Sequence, residues 1–462
     1  MLEPLSPDWW VHRLMARLDN DRPEMEKHEN YYRGDHPLPT VREDLREPYQ
    51  RLLKMSPTNV MRLVVDAAEE RLNVVGFRFS DGQADQDAWR LWQANALDAE
   101  SQLNHRESLV KKRGAVIVWP DEDDPETPRI TVESAETVAV EYVPGNRRKR
   151  AAALKTWEDD WTGWTMATLY LPDEIHKFAY LPATTWRLGG WQPRPMPVGE
   201  QAVIPNPFGV VPVVEFPNRP DTYGFGESEI VDVTAIQDRI NKIVFDRMMA
   251  AEFTSFKQRW ATGIDIPVDP ETSEPVEPFN MAVDRLLLNE NPEGRFGEFG
   301  QTDLAPYLEA AEQDLKFIAS ITRTPPHYLN TSADRLSGES IKSAETGLVA
   351  KVKRKQRHFG EAWEEVMRLA FTMMGDDEKA SYHSAETLWA DPESRTESEH
   401  ADAVGKLRQM LHIPLEAAWE EYGFSPTQIE RMKGQLASEA LTMDGLNIAS
   451  LFDDETSDAE QV

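Results

Sequence analysis

The chain has 462 residues and a formal net charge of −31, from 50 Lys and Arg against 81 Asp and Glu, an acidity that argues against tight general binding to DNA or RNA. The absence of Cys excludes disulfides, thiolate metal sites and Cys nucleophiles. No apolar run approaches the roughly 20 residues that span a bilayer, and the start lacks the pattern of a signal peptide, so we expect a soluble protein made in the cytoplasm, with two or more substructures.

Helical and strand patterns alternate irregularly through the first 218 residues. Helical spacing covers residues 9–18, 24–32, 59–72 and 85–111. Alternating strand patterns cover residues 74–79, 115–119, 129–133, 138–142, 151–157, 165–171 and 174–180. Residues 206–218 are extended and contain Pro207, Pro212 and Pro217, which cannot donate to a strand ladder, so we place this strand at a sheet edge. The region predicts an α+β fold with antiparallel strands, because the rhythm of a doubly wound sheet is missing.

Two long helical stretches flank a segment of different character. Residues 228–261 and 303–321 show helical apolar spacing, and the second has the 4-3-4-3 seam of a coiled coil. Residues 262–301 contain Pro, Gly and short apolar runs, which predict a small β-rich module between the two helices.

The longest predicted helix covers residues 337–374. Its apolar stripe repeats every eleven residues, in two interleaved series: Ile341, Val352 and Trp363, and Leu348, Phe359 and Ala370. At 1.5 Å per residue this helix is about 57 Å long, a length typical of a brace in a large assembly. Thr324, Pro325 and Pro326 end the preceding helix.

The rest of the chain contains shorter predicted helices and strands. It predicts a strand at residues 382–389, short helices at 406–412, 415–422 and 426–440, and a disordered acidic tail at 453–462.

Motifs of catalysis are missing from the sequence. It has no P-loop and no GxGxxG, HExxH, GxSxG or EF-hand pattern, and its ten His show no ligand spacing. The acidic run at residues 121–124 resembles a two-metal cluster in composition only, because flanking Pro residues indicate a solvated loop. We therefore expect no cofactor, no metal and no enzymatic activity.

One basic run lies within the longest helix. Lys351, Lys353, Arg354, Lys355, Arg357 and His358 form it, and helical geometry directs most of these side chains away from the apolar stripe. Three interpretations remain open: a solvated face, salt bridges between subunits, or contacts to phosphates. We retain Lys351, Lys353, Arg354 and Arg357 as a candidate subunit-interface or phosphate-contact face.

The loop at residues 327–336 connects two long helices and has a polar tip. It is a plain connector or a functional loop, and its candidate side chains are His327, Asn330, Thr331, Ser332 and Arg335.

Segments spread over most of the chain resemble the portal proteins of tailed bacteriophages, in the branch found in siphophages. These segments are YYRGDHPLP at residues 31–39, NVMRLVVDAAEERLNVVGF at 59–77, FGVVPVVEFPN at 208–218, GESEI at 226–230, TRTPPHYL at 322–329 and SGESIKSAE at 337–345. Each is weak alone, but together, in family order over residues 14–432, they are a strong match.

The resemblance implies a portal fold that forms a ring, typically of twelve subunits, around a DNA channel. It implies an N-terminal part of the wing at residues 1–227, stem helices at 228–261 and 303–324, and a clip at 262–302. It further implies a tunnel loop at 325–336, a long wing helix with a returning strand at 337–405, a crown at 406–452 and the tail at 453–462.

The resemblance also implies a place in the virion and a set of partners. The ring would occupy one capsid vertex and carry double-stranded DNA in and out without sequence specificity. It would contact the terminase large subunit, a head-tail connector, and the major capsid and scaffold proteins, and no membrane. A mostly negative channel wall would keep phosphates from adhering while a few basic rings position the duplex, which is a hypothesis from charge alone.

Two other classes of protein stay open at this point. A different structural protein of the phage shell or tail would assemble without an axial channel. A metal-dependent nuclease would need carboxylates clustered in a pocket and would cleave DNA in the presence of magnesium.

Overall fold

The computed structural model of the chain describes residues 3–79, 84–181, 190–197, 199–255, 259–262, 295–298, 303–329, 338–393 and 397–439. Its helices are α1 Pro7–Arg33, α2 Glu43–Arg46, α3 Gln50–Met55, α4 Met61–Glu69, α5 Gln86–Ala94, α6 Leu97–Lys111, α7 Thr234–Ser255, α8 Ala305–Thr322, α9 Pro326–Leu329, α10 Gly338–Met374, α11 Asp377–Ala380, α12 Glu397–Leu411 and α13 Leu415–Tyr422. A short 3-10 turn at Val231–Val233 precedes α7, and residues 426–439 are also helical.

The strands are β1 Val74–Arg78, β2 Arg113–Trp119, β3 Arg129–Glu133, β4 Val138–Val143, β5 Asn146–Asp159, β6 Trp164–Tyr170, β7 Glu174–Leu181, β8 Gly190–Pro193, β9 Val203–Pro205, β10 Val213–Pro217, β11 Arg259–Thr262, β12 Arg295–Glu298 and β13 Glu386–Trp389. All pairs are antiparallel. The largest sheet has the order β4-β5-β6-β7-β8 with β9 also on β7, and the smaller sheets are β10-β2-β3, β1-β13 and β11-β12. The predicted α+β class with antiparallel strands is confirmed.

The described chain divides into two compact units. The first contains residues 1–35, 59–234 and 318–462, and the second contains residues 36–58 and 235–317. The first unit thus holds three of the sheets and the long helix, whereas the second holds most of α7 and α8 with the β11-β12 hairpin. In the second unit, Gln237 and Asn241 of α7 bond to the backbone of Thr58, at 2.6 and 3.0 Å.

A single long helix opens the first unit. Ser6 accepts from the backbone N–H of Trp9, Pro7 occupies the first turn, and Gly34 ends α1 with a left-handed φ of 93°. The helix runs through Pro23 without a break. Its apolar face packs on the largest sheet, where Trp10, Leu14 and Leu18 meet Leu154, Leu169 and Phe178. The two stretches that were predicted as separate helices, residues 9–18 and 24–32, are therefore parts of one helix.

The long helix α10 forms the second core of this unit. It has 37 residues, close to the predicted 337–374. Its stripe is buried as predicted, with Leu348, Val352 and Trp363 all at 0% exposure. The Trp363 indole N–H donates to Nε2 of the buried His105 at 2.9 Å, and the Phe359 ring stacks on His105. His105 of α6 therefore anchors the middle of α10.

Several predicted elements differ from those observed, among them the strand predicted at 382–389, which is only β13, and the helix predicted at 406–412, which begins at Glu397 as α12. Residues 85–111 form two helices, because Ala96 takes a left-handed φ of 53° and Asn95 bonds to the Leu91 and Pro128 carbonyls. Residues 228–261 give a 3-10 turn, then α7, which ends at Ser255, and then β11. The strand predicted at 206–218 is only β10, and the prediction of an edge position is confirmed, because within its sheet it pairs with β2 alone.

Candidate functional site

Helix α8 ends in a left-handed turn at Arg323. The backbone N–H of Thr324 donates to the Ala319 carbonyl at 3.1 Å, and Arg323 has a φ of 55°. This is the Schellman pattern, in which the left-handed position is usually Gly. The Thr322 hydroxyl donates to the Ile318 carbonyl at 2.7 Å and lies 2.9 Å from that of Thr324. The turn thus directs the chain into α9 and the loop that follows.

A hydrogen-bonded triad, Arg71, Tyr328 and Glu345, fixes α9. The Tyr328 hydroxyl donates to Oε1 of Glu345 and accepts from Nη2 of Arg71, both at 3.0 Å. Arg71 also lies 3.5 Å from the same carboxylate, which is nearly buried. Burial and the bond to Glu345 raise the pKa of Tyr328, so its hydroxyl is a stable donor. The triad therefore ties α9 to α10 and to the segment after α4.

A buried charge cluster, Glu229, Lys351 and Lys355, contacts the turn at the end of α8. Lys351 Nζ is 3.2 Å from Oε1 of Glu229 and donates to the Thr322 carbonyl at 2.8 Å. Lys355 donates to Oε2 of Glu229 and to Oδ1 of Asn218. The three charged residues are only 3% to 5% exposed. The cluster joins the GESEI segment, the end of α8 and the middle of α10.

The protonation of this cluster follows from burial and charge. Burial by itself raises the pKa of Glu229, but the ammonium groups of Lys355 and Lys351 outweigh it and hold that pKa at about 2. Burial lowers the pKa of Lys355 to about 8, with Glu229 opposing the decrease. Glu229 and Lys355 are therefore charged at neutral pH, and burial also lowers the pKa of Lys351, with Glu229 opposing the decrease.

The predicted basic face is divided by burial. Lys351 is buried, because its side chain extends to Glu229 in the charge cluster. The exposed face therefore does not include it. Lys353 is exposed and lies 3.4 Å from Glu393. Arg354 and Arg357 are exposed. The role of the face in subunit or phosphate contacts stays a prediction.

The predicted loop residues are only partly within the described chain. His327 belongs to α9, and its Nε2 lies 3.9 Å from the Glu345 carboxylate. Asn330, Thr331, Ser332 and Arg335 lie outside the described residues.

Sequence reasoning did not single out the residues of the triad or Glu229. Each lies inside a segment that carries the resemblance: Arg71 in residues 59–77, Glu229 in GESEI, Tyr328 in TRTPPHYL and Glu345 in SGESIKSAE. Three of these segments thus meet at the triad, and GESEI joins them through Lys351, which contacts both Glu229 and the carbonyl of Thr322. A second basic run, residues 147–150, was also missed; Arg147, Arg148 and Lys149 are exposed on the β4-β5 hairpin.

Other candidate chemistry is weaker. Within the described ranges, no group of His, Asp or Glu is arranged to hold a metal ion. In the acidic run at residues 121–124, Asp121 pairs with Arg129 at 2.9 Å, as expected for a solvated loop. Among the helices that the structure describes, none is long and apolar enough to cross a membrane.

Comparison with known proteins gives the family. The family described as "Phage portal protein, SPP1 Gp6-like" matches residues 11–440. The portal protein of Mycobacterium phage D29 is 33% identical over 438 residues, covering 91% of this chain and 86% of that protein. The portal protein of Mycobacterium phage L5 is 32% identical with the same coverage. The resemblance noted in the sequence is confirmed, and the chain belongs to the SPP1 Gp6-like family of phage portal proteins.

Proposed function

We propose that the chain forms a ring, of twelve copies in the typical case, around a channel at one capsid vertex. Double-stranded DNA passes through this channel during packaging and ejection. The observation that carries the proposal is the convergence of three family segments at the Arg71, Tyr328 and Glu345 triad. A loop that must touch moving DNA needs a rigid base, and the triad supplies one.

The parts of the ring follow the same proposal. Residues 1–227 and 337–405 form the wing, 228–261 and 303–324 the stem, 262–302 the clip and 406–452 the crown. The division of the described chain into two units supports this assignment, because the second unit collects most of the proposed stem and the ends of the proposed clip. Residues 325–336 form the tunnel loop, and Arg335 is its cationic contact to DNA.

The proposed partners are those of a virion vertex. The terminase large subunit docks during packaging, and a head-tail connector, the major capsid protein and scaffold proteins contact the ring. The chain itself carries no catalytic role in this proposal. Its charge of −31 favours passage of DNA over adhesion, because phosphates are repelled by most of the surface.

Negative-stain images of the purified protein test the proposal. We expect class averages of a toothed ring with a central hole. Closed assemblies without an axial channel would favour another shell or tail protein. A compact monomer that cleaves DNA with magnesium would favour the nuclease.

The role of the tunnel loop has a separate test. Arg335→Glu is expected to change the rate of DNA packaging or ejection while rings still form. Unchanged packaging and ejection would remove Arg335 from the channel.

A further inference from the structure

A charged pocket of about 490 Å³ opens beside the end of α8, within the first unit. Its cations are Arg219, Arg323, Lys351 and Arg354, and its acids are Asp221, Glu227, Glu229 and Asp232. The exposed Ile321 lies on its wall.

The acids of the pocket all have partners. Glu227 and Asp232 lie 3.3 and 3.0 Å from Arg219, and Glu229 is held by its two lysines. Asp221 accepts from the backbone N–H groups of residues 223 and 225. By contrast, no hydrogen bond or ion pair within the described chain involves the guanidinium groups of Arg323 or Arg354. Among the described residues, the pocket therefore has two cations that make no ion pair with an acid.

The backbone of Arg323 gives independent support. A non-Gly residue in the left-handed region is strained, and Gly is the usual residue at this position of the turn. Lys351 donates to the carbonyl of Thr322, so the turn is held without the Arg323 side chain. The side chain of Arg323 is therefore not needed to close α8.

His358 lines the same pocket, and the direction of its pKa shift agrees with nearby cations that have no acid partner. Burial and then the nearby cations Arg354, Lys355 and Arg357 lower the pKa of its imidazole.

We propose that Arg323 and Arg354 receive a carboxylate side chain from a second copy of this chain, which makes the pocket a specificity contact between neighbouring subunits. The inference rests on the proposed ring. The pocket accepts one carboxylate, whose single charge the two guanidinium groups can compensate. The exposed acids at the rim, Asp221, Glu227 and Asp232, disfavour the closely spaced charges of a phosphate backbone. Ile321 adds the apolar contact typical of protein interfaces, and the acidic chain supplies many carboxylates.

Arg323→Gly separates this role from folding. Gly relieves the left-handed backbone, so we expect the thermal midpoint of the subunit fold to be unchanged or raised. The dissociation constant between subunits, measured by dilution with mass photometry, should rise at least about tenfold. Lys149→Ala, which removes an exposed cation of the β4-β5 hairpin outside the candidate interface face, is the control and should leave association unchanged.

A cross-linking experiment identifies the source of the carboxylate. Arg354→Lys keeps the charge and supplies an amine that a carbodiimide joins to an adjacent carboxylate. In rings assembled from ¹⁴N- and ¹⁵N-labelled chains, we expect residue 354 to give mixed-isotope cross-links. Pairs of one isotope only would overturn the proposal.

The outcomes distinguish this inference from the proposed function. If the wild-type protein forms no ring, the proposed function fails. If the wild type forms rings and Arg323→Gly and Arg354→Glu form them with unchanged affinity, the pocket inference fails alone. Normal rings with weaker binding to a DNA duplex would assign the two arginines to phosphate contact and also overturn it.

Discussion

Glu229 compensates two ammonium groups in a site where each isolated charge is costly. Its pKa falls from 4.5 to about 2, which stabilises the folded state above pH 4.5, whereas the pKa of Lys355 falls from 10.5 to about 8, which costs stability below pH 8. The two effects are opposite in sign, and the burial that lowers the pKa of Lys351 adds to the cost. The intact cluster therefore adds little net stability at neutral pH, although breaking it leaves uncompensated buried charge.

Glu229→Gln is predicted to lower the free energy of unfolding by about 3–5 kcal/mol, because two buried ammonium groups lose their counter-charge. Urea unfolding at pH 7 measures this. Glu393→Gln breaks the exposed pair with Lys353 and should cost at most about 1 kcal/mol. A similar small loss for both variants would contradict the account of the buried cluster.

His105 predicts a specific sensitivity to acid. Burial lowers its pKa from 6.5 to about 3, so the folded state binds fewer protons than the unfolded state between these values. Stability must then fall as the pH drops below 6.5. His105→Gln keeps an acceptor for the Trp363 indole but does not titrate. Between pH 7.5 and 5.5 the wild type should lose about 1 kcal/mol more than the variant. Parallel pH profiles of urea unfolding for the two proteins would show that His105 is not the responsible group.

At the scale of elements, α9 is only four residues long and depends on the triad more than on its own helical bonds. Tyr328→Phe removes the hydroxyl that links Arg71 to Glu345. We predict faster amide hydrogen exchange at residues 327–329, with unchanged exchange in the middle of α10. Tyr223→Phe, at a Tyr that is 79% exposed, is the matched control and should change neither. If Tyr328→Phe leaves exchange in α9 unaltered, the triad does not hold the loop base.

The elements also show what the sequence could predict. Helix α10 was predicted within one residue at its start, because its eleven-residue stripe is a local pattern. The break at Ala96 depends on Asn95 bonding to Pro128, a contact that no local pattern encodes. Lys351 was predicted to be exposed for the same reason, since its partner Glu229 lies more than a hundred residues earlier. The residues of the triad therefore lay in segments that resemble the family, but the sequence did not predict that they meet.

At the scale of the whole molecule, the proposed ring is built from acidic chains, and DNA, a polyanion, must move through it. Few phosphate contacts mean little counterion release, so binding should be weak and only slightly dependent on salt. For assembled protein and a labelled duplex, we predict a slope of log K against log salt shallower than about −3, equal for two unrelated sequences. Fluorescence anisotropy from 50 to 200 mM NaCl, about the range over which strong binders lose most affinity, measures it. The exposed cations of the β4-β5 hairpin are the main alternative source of binding, so Arg147→Glu, Arg148→Glu and Lys149→Glu together serve as the comparison. A steep slope that this triple variant abolishes would place duplex binding on the hairpin and contradict weak contact along a channel.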